Sequence, residues 1–176
     1  MKSGPLGALI LSGLFLSMRA EADNTASFVL PSGVAVRIVE APFQRSKFKI
    51  EGCTRNDAPC LINGRIAFGG FQGELPKTYV RSIVVTFDGQ SYDLDTSAMY
   101  NAWGSRPLEH PGVIRYFGGK CFYKGNCQFR GVFADGALSF AAEWRIVNGR
   151  QIRTVLTGSD DVVHLFMKHI DPPEYE

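Results

Sequence analysis

The side chains able to do chemistry are few in this chain, and their spacing forms no catalytic signature. There are three histidines, His110, His164 and His169. The last two are five residues apart, about 140° around a helix, so they cannot share a metal ion as an i, i+4 pair can. The chain has no nucleophile elbow of the Gly-x-Ser-x-Gly kind and no His-Glu-x-x-His zinc helix. It also lacks both glycine-rich phosphate loops, Gly-x-x-x-x-Gly-Lys and Gly-x-Gly-x-x-Gly. Those are the patterns that activate a serine, hold a catalytic zinc or cradle phosphates with backbone N–H groups. Asp93-x-Asp95-x-Ser97 matches only the first ligands of a calcium loop. Ala98 stands where the turn glycine belongs, and Gly104 where the bidentate glutamate belongs. The stretch therefore reads as a polar strand end. No metal or cofactor is expected.

What remains is binding chemistry. Tyr100, Trp103, Arg106, Glu109 and His110 crowd into one short stretch. Tyr, Trp and Arg dominate binding hot spots, and function concentrates on loops carried by rigid scaffolds. These five are the candidate site. The competing reading buries Tyr100 and Trp103 and leaves the rest a solvated loop. An enzyme on this chain would instead assemble its site around His110 with Asp or Glu partners from elsewhere. A second basic stretch, Arg45, Lys47, Lys49 and Arg55, lies beside Glu51 and Asp57 and reads as a solvated face.

The compartment is better marked. Residues 1–22 have the three parts of a secretory signal: Lys2, an apolar run over 6–18, and Ala20-Glu21-Ala22 as a small-x-small cleavage site. The apolar run is shorter than the roughly 20 helical residues a bilayer needs. Cleavage before Asp23 is expected, leaving one domain over 23–176 with no stable membrane insertion. Removing Lys2, Arg19 and Glu21 takes the formal charge from +2 to +1. A near-neutral balance argues against nucleic acid as the partner, since phosphate binding needs a concentrated basic surface.

All four cysteines, Cys53, Cys60, Cys121 and Cys127, fall after that segment. An even count in an oxidising compartment reads as disulfides. Three connectivities are possible. The local ones, Cys53–Cys60 and Cys121–Cys127, are favoured because each pair brackets a turn-rich stretch. The spacings are wider than those of zinc knuckles, and no Cys-x-x-Cys points to redox catalysis.

The elements that would carry these groups are strands. Residues 138–146 alternate: Leu138, Phe140, Ala142, Trp144 and Ile146 share one face, and Ser139, Ala141, Glu143 and Arg145 the other. Asp135-Gly136 as a two-residue turn pairs Phe133 with Leu138 and Phe129 with Ala142. A three-residue loop over 147–149 pairs Trp144 with Ile152 and sets Glu143 outward against Arg153; a two-residue loop would put Trp144 opposite Arg153. Asp88-Gly89 pairs Phe87 with Gln90, Val85 with Tyr92 and Ile83 with Leu94. Further strands are expected at 27–30, 34–41, 48–53 and 113–117, with a short hairpin at Asn63-Gly64. A helix is expected at 96–103, between Thr96 and Gly104; residues 159–170 fit a helix, where Ser159 can cap and Val163, Phe166, Met167 and Ile170 share a face, with a strand as the alternative.

The fold expected is all-β or β-rich α+β: antiparallel meander and hairpins forming a sandwich or open barrel, with one or two short helices. The function expected is that of a soluble, periplasmic or secreted binding protein engaging a protein partner. An inhibitor or immunity protein against a secreted or cell-wall-degrading enzyme has these properties: small, disulfide-stapled, exported and without catalytic motifs. The alternatives are a small periplasmic hydrolase and a ligand-carrying or structural envelope β-barrel.

Overall fold

A computed structural model describes residues 23–53, 60–70, 74–103 and 116–172. The expected signal segment lies outside them. Two four-stranded antiparallel sheets carry the fold. The first has strands in the order β1 (Asn24–Val29), β2 (Ala35–Pro42), β6 (Thr78–Phe87), β7 (Gln90–Leu94). The second runs β11 (Arg150–Thr157), β10 (Phe140–Val147), β9 (Asn126–Phe133), β8 (Phe117–Tyr123). Between β2 and β6 lies a small three-stranded sheet of β3 (Ile50–Glu51), β4 (Leu61–Ile62) and β5 (Arg65–Ile66). A single helix among the described residues, α1 (Asp160–Lys168), follows β11.

The two large sheets make a sandwich around one core. Val36, Ile38, Ile83 and Val85 from the first sheet meet Phe129, Phe140, Trp144 and Ile146 from the second. Phe133 links the aromatics, 5.4 Å from Phe140 and 6.2 Å from Trp144 between ring centroids. Burying each side chain of this size contributes about 1.5–3 kcal/mol. The sheets stay open, and side chains fill the space between them; no closed barrel forms among the described residues.

Several expected registers hold. The β6–β7 hairpin pairs Phe87 with Gln90, Val85 with Tyr92 and Ile83 with Leu94. Both local disulfides form, Cys53–Cys60 and Cys121–Cys127. The β4–β5 hairpin turns at Asn63-Gly64.

The expectations for strand β10 need three corrections. Residues 136–138 form a 3-10 turn, so β10 starts at Phe140 and pairs Phe140 with Phe133 and Trp144 with Phe129. The shift is two residues, which keeps every side chain on its expected face. On the other side the turn is the two-residue Asn148-Gly149, both in the left-handed region at φ 51° and 77°. Trp144 therefore does sit opposite Arg153. A bulge between Glu143 and Trp144 then restores the parity, pairing Glu143 with Val155 and Ala142 with Leu156. Finally, the second face of β10 is not a polar surface. Val163 and Phe166 of α1 pack on Val132 and Ala141, because the helix's apolar face has no other place to be buried. Ser159 occupies the N-cap position without a side-chain capping bond.

The covered face holds a buried ion pair. Arg130 Nε lies 2.8 Å from Glu143 Oε2. Arg130 also donates to the His169 carbonyl at 3.2 Å and stacks 4.6 Å from the Phe166 ring centroid. Thr154 Oγ1 donates to Glu143 Oε1 at 2.9 Å. Glu143 thus finds its partners within the layer under α1, and the expected outward pair with Arg153 does not form.

The expected helix at 96–103 is absent over 96–103. Ala98 and Asn101 have φ of 66° and 41°, which no helix accommodates. The backbone instead bridges outward: Phe68 N donates to Ala98 O at 3.0 Å, and Val80 N to Met99 O at 3.0 Å. Met99, Tyr100, Ala102 and Trp103 are all buried, so this segment is enclosed on several sides and lacks the single apolar stripe of a surface helix. Gly69, at φ 80°, lies against it so closely that a Cβ there would fall 1.9 Å from the Tyr100 carbonyl oxygen. β8 also differs from expectation, running Phe117–Tyr123 and turning only at Lys124-Gly125.

Candidate binding surface

Of the expected site residues, Tyr100 and Trp103 are buried. Tyr100 is buried among Phe43, Phe48 and Tyr79, and that burial pushes its phenol up to about 12. Trp103 is in the main core, its ring 5.7 Å from Phe133. Arg106, Glu109 and His110 lie outside the described residues. His164 and His169 are exposed. Arg45 and Lys47 sit in an exposed 3-10 turn, and Lys49 pairs with Glu51 at 2.6 Å on the surface. Asp95 of the calcium-like stretch faces the guanidinium of Arg153 at 3.3 Å. Among the described residues no group of three His, Cys, Asp or Glu side chains is placed to hold a metal.

A different surface stands out, at the paired tips of the β8–β9 and β10–β11 hairpins. Phe122 and Tyr123 are consecutive in β8, so a regular strand would send them to opposite faces. The register instead shifts between Cys121 and Tyr123. Both rings stay in solvent, 51% and 65% exposed. Cys121 and Cys127 are cross-strand neighbours, so their disulfide fixes the root of this hairpin. Val147 and Ile152 extend the apolar surface onto the next hairpin. Phe122, Tyr123, Asn126, Gln128, Arg145 and Val147 line a shallow depression of about 410 Å³ between the two hairpins.

The tips are tied together. Gly149 N donates to Gly125 O at 2.9 Å. Gly125 is left-handed, φ 80°, and a Cβ there would approach Gly149 N to 3.1 Å. The charged residues at the tips of the two hairpins are Lys and Arg. Lys120 Nζ lies 5.3 Å above the Phe122 ring, and Lys124, Arg145 and Arg150 occur on the same hairpins. Neither 116–134 nor 144–158 contains an Asp or Glu. The nearest carboxylate on β10, Glu143, is committed to Arg130 beneath α1, with Arg145 at 3.8 Å.

Sequence reasoning missed this surface because alternation along β8 conceals the bulge. The usable signal was the pair of acid-free runs carrying Lys and Arg in an otherwise balanced chain.

Comparison with protein-family models, curated proteins and solved structures finds no match to this chain. Two formed disulfides are the mark of an oxidising compartment. No helix among the described residues is long and apolar enough to cross a membrane.

Proposed function

We propose that this is an exported binding protein, periplasmic or secreted, that engages a protein partner through the paired hairpin tips. The observation that carries the reading is the exposed Phe122–Tyr123 pair on a disulfide-fixed hairpin, in two chain runs that carry Lys and Arg but neither Asp nor Glu. Aromatic and Arg side chains supply the energy of protein interfaces, and their rims are polar. The single sign of charge in those runs selects a partner with carboxylates around an apolar centre. An inhibitor or immunity protein that covers the active site of a secreted or cell-wall-degrading enzyme is the role such a surface serves. It needs no catalytic chemistry of its own.

A pull-down from nuclease-treated extracts of the same and competing cells tests this. The disulfide-bonded protein is the bait, beside a Phe122→Ala/Tyr123→Ala bait and a Lys124→Gln/Arg150→Gln bait. The expected result is one stoichiometric protein, retained at least about tenfold less by the aromatic variant, as for hot-spot residues, and inhibited in its own activity by the wild type. Equal retention by the aromatic variant, or no stoichiometric protein from any extract, overturns the reading.

A further inference from the structure

A second concave site lies away from the hairpin tips and does not depend on the reading above. It is a cleft of about 390 Å³ between the β4–β5 hairpin and residues 95–100. Ile62, Val80 and Met99 form its buried floor, and Phe48, Tyr79 and Tyr100 its aromatic wall. The Phe48 and Tyr79 rings meet edge to face at 5.3 Å.

The mouth is polar and carries excess positive charge. Arg65 Nη1 donates to Ser97 Oγ at 2.5 Å. Arg153 Nη2 donates to the same hydroxyl at 3.2 Å, and Arg153 Nη1 to the Ser97 carbonyl at 2.6 Å. Two guanidinium groups thus converge on one neutral hydroxyl. The charged residues among those lining the cleft are Arg65, Arg81 and Asp95. Asp95 is matched by Arg153 at 3.3 Å, and Arg81 by Asp23. Among the described residues, Arg65 has no carboxylate within ion-pair distance, and it is exposed. A guanidinium has five N–H donors in a planar fork that fits a carboxylate bidentately. Beside it lies an apolar aromatic wall, the usual composition of a small-molecule site.

We propose that this cleft binds a small organic monocarboxylate, its carboxylate on Arg65 and its apolar body against Phe48 and Tyr79. Arg65 and Arg153 share the single Asp95 carboxylate, so the cluster keeps one net positive charge, which matches one negative charge on the ligand. The Asp95 carboxylate at the mouth, though paired, disfavours a dianion.

Benzoate is the probe, compared with its neutral isostere benzamide and with inorganic phosphate at fixed ionic strength. Binding to the disulfide-bonded protein is followed by NMR titration. Benzoate is expected to bind in the millimolar range and to shift resonances of Arg65, Ser97 and Tyr79. Benzamide and phosphate are expected to bind at least about tenfold more weakly, the scale of one lost charge-assisted contact. Arg65→Gln should weaken benzoate by a similar factor, while Arg37→Gln, on the outer face of β2, should not. Thermal melts check that both variants are folded. Equal binding of benzamide or phosphate, unchanged benzoate affinity in Arg65→Gln, or shifts elsewhere than the cleft overturn the proposal.

Discussion

Trp144 and Arg153, cross-strand partners in β10 and β11, both donate to the carbonyl oxygen of Asp95, Nε1 at 2.8 Å and Nη1 at 3.2 Å. Asp95 follows β7 directly, so one backbone oxygen of the first sheet's edge holds two side chains of the second. Arg153 adds the Ser97 carbonyl and the Asp95 carboxylate. An arginine opposite a core tryptophan is thereby satisfied at its charged end while its stem packs inward.

Removing that anchor loosens the sandwich at one corner. Arg153→Met keeps most of the stem and deletes the charged bonds. It is expected to lower unfolding free energy by about 2 kcal/mol, the range of hydrogen bonds to charged groups. Urea denaturation followed by tryptophan fluorescence measures it. An unchanged midpoint would mean these bonds add nothing to folding.

Acid should act through the buried pair beneath α1. Burial pushes the Glu143 carboxyl up, but hydrogen bonds from Arg130 and Thr154 and the Arg130 charge more than offset this, holding it below its ordinary 4.5. With a depressed folded value, the unfolded chain takes up the proton first as pH falls. The contribution is complete above about pH 4.5 and is lost as pH falls through the folded value. Asp95 is shifted the same way: burial pushes it up, and bonds from Ser97 with the Arg153 charge outweigh that. Glu143→Gln is expected to cost about 3 kcal/mol at pH 7, as for a buried charge stripped of its partner, and to flatten the acid limb of stability against pH. Urea midpoints of both proteins at several pH values between neutral and strongly acidic provide the comparison.

The two disulfides should have separable effects. Each closes a short loop, worth roughly 2–3 kcal/mol on the chain-entropy estimate. Cys121→Ala/Cys127→Ala should lose that stability and also weaken partner retention, because the bridge fixes the hairpin carrying Phe122 and Tyr123. Cys53→Ala/Cys60→Ala should lose comparable stability and keep partner retention. Denaturation curves and pull-downs on both variants decide between separable and common effects.

Gly69→Ala tests the packing under the aromatic wall. The new methyl would overlap the Tyr100 carbonyl in a left-handed backbone. Overpacking costs about 1–3 kcal/mol, and the left-handed conformation adds about 1–2 kcal/mol for a residue with a Cβ. A fall in melting temperature of roughly 4–20 °C is expected for a domain of this size.

Where short-range rules decide the structure, the sequence is readable. Asp88-Gly89 sets the β6–β7 register, and turn-rich segments bring the cysteines together in local pairs. Long-range partners are not readable in this way. A three-residue loop at 147–149 keeps Arg153 from standing opposite Trp144, whereas the acceptors that satisfy Arg153 there sit 56 and 58 residues away in sequence. The polar side of β10 looked solvated because α1's docking is invisible from β10 itself. Residues 96–103 have helix-like ends, Thr96 and Gly104, but their backbone groups are claimed by Phe68 and Val80. For the candidate surface, residue type does not give location: Tyr100 and Trp103 have hot-spot composition yet lie inside, whereas Phe122 and Tyr123 are exposed at a register shift.

The hydrogen bond from Gly149 to Gly125 joins two turns that would otherwise fluctuate independently. In the proposed role, a partner arriving at this end would meet a die already cut, and association would spend little entropy on ordering loops. Encounter is then limited by orientation and charge steering, while the lifetime of the complex rests on how well the aromatic centre is filled. Lengthening either turn by a residue would leave every contact residue in place and slow complex formation all the same.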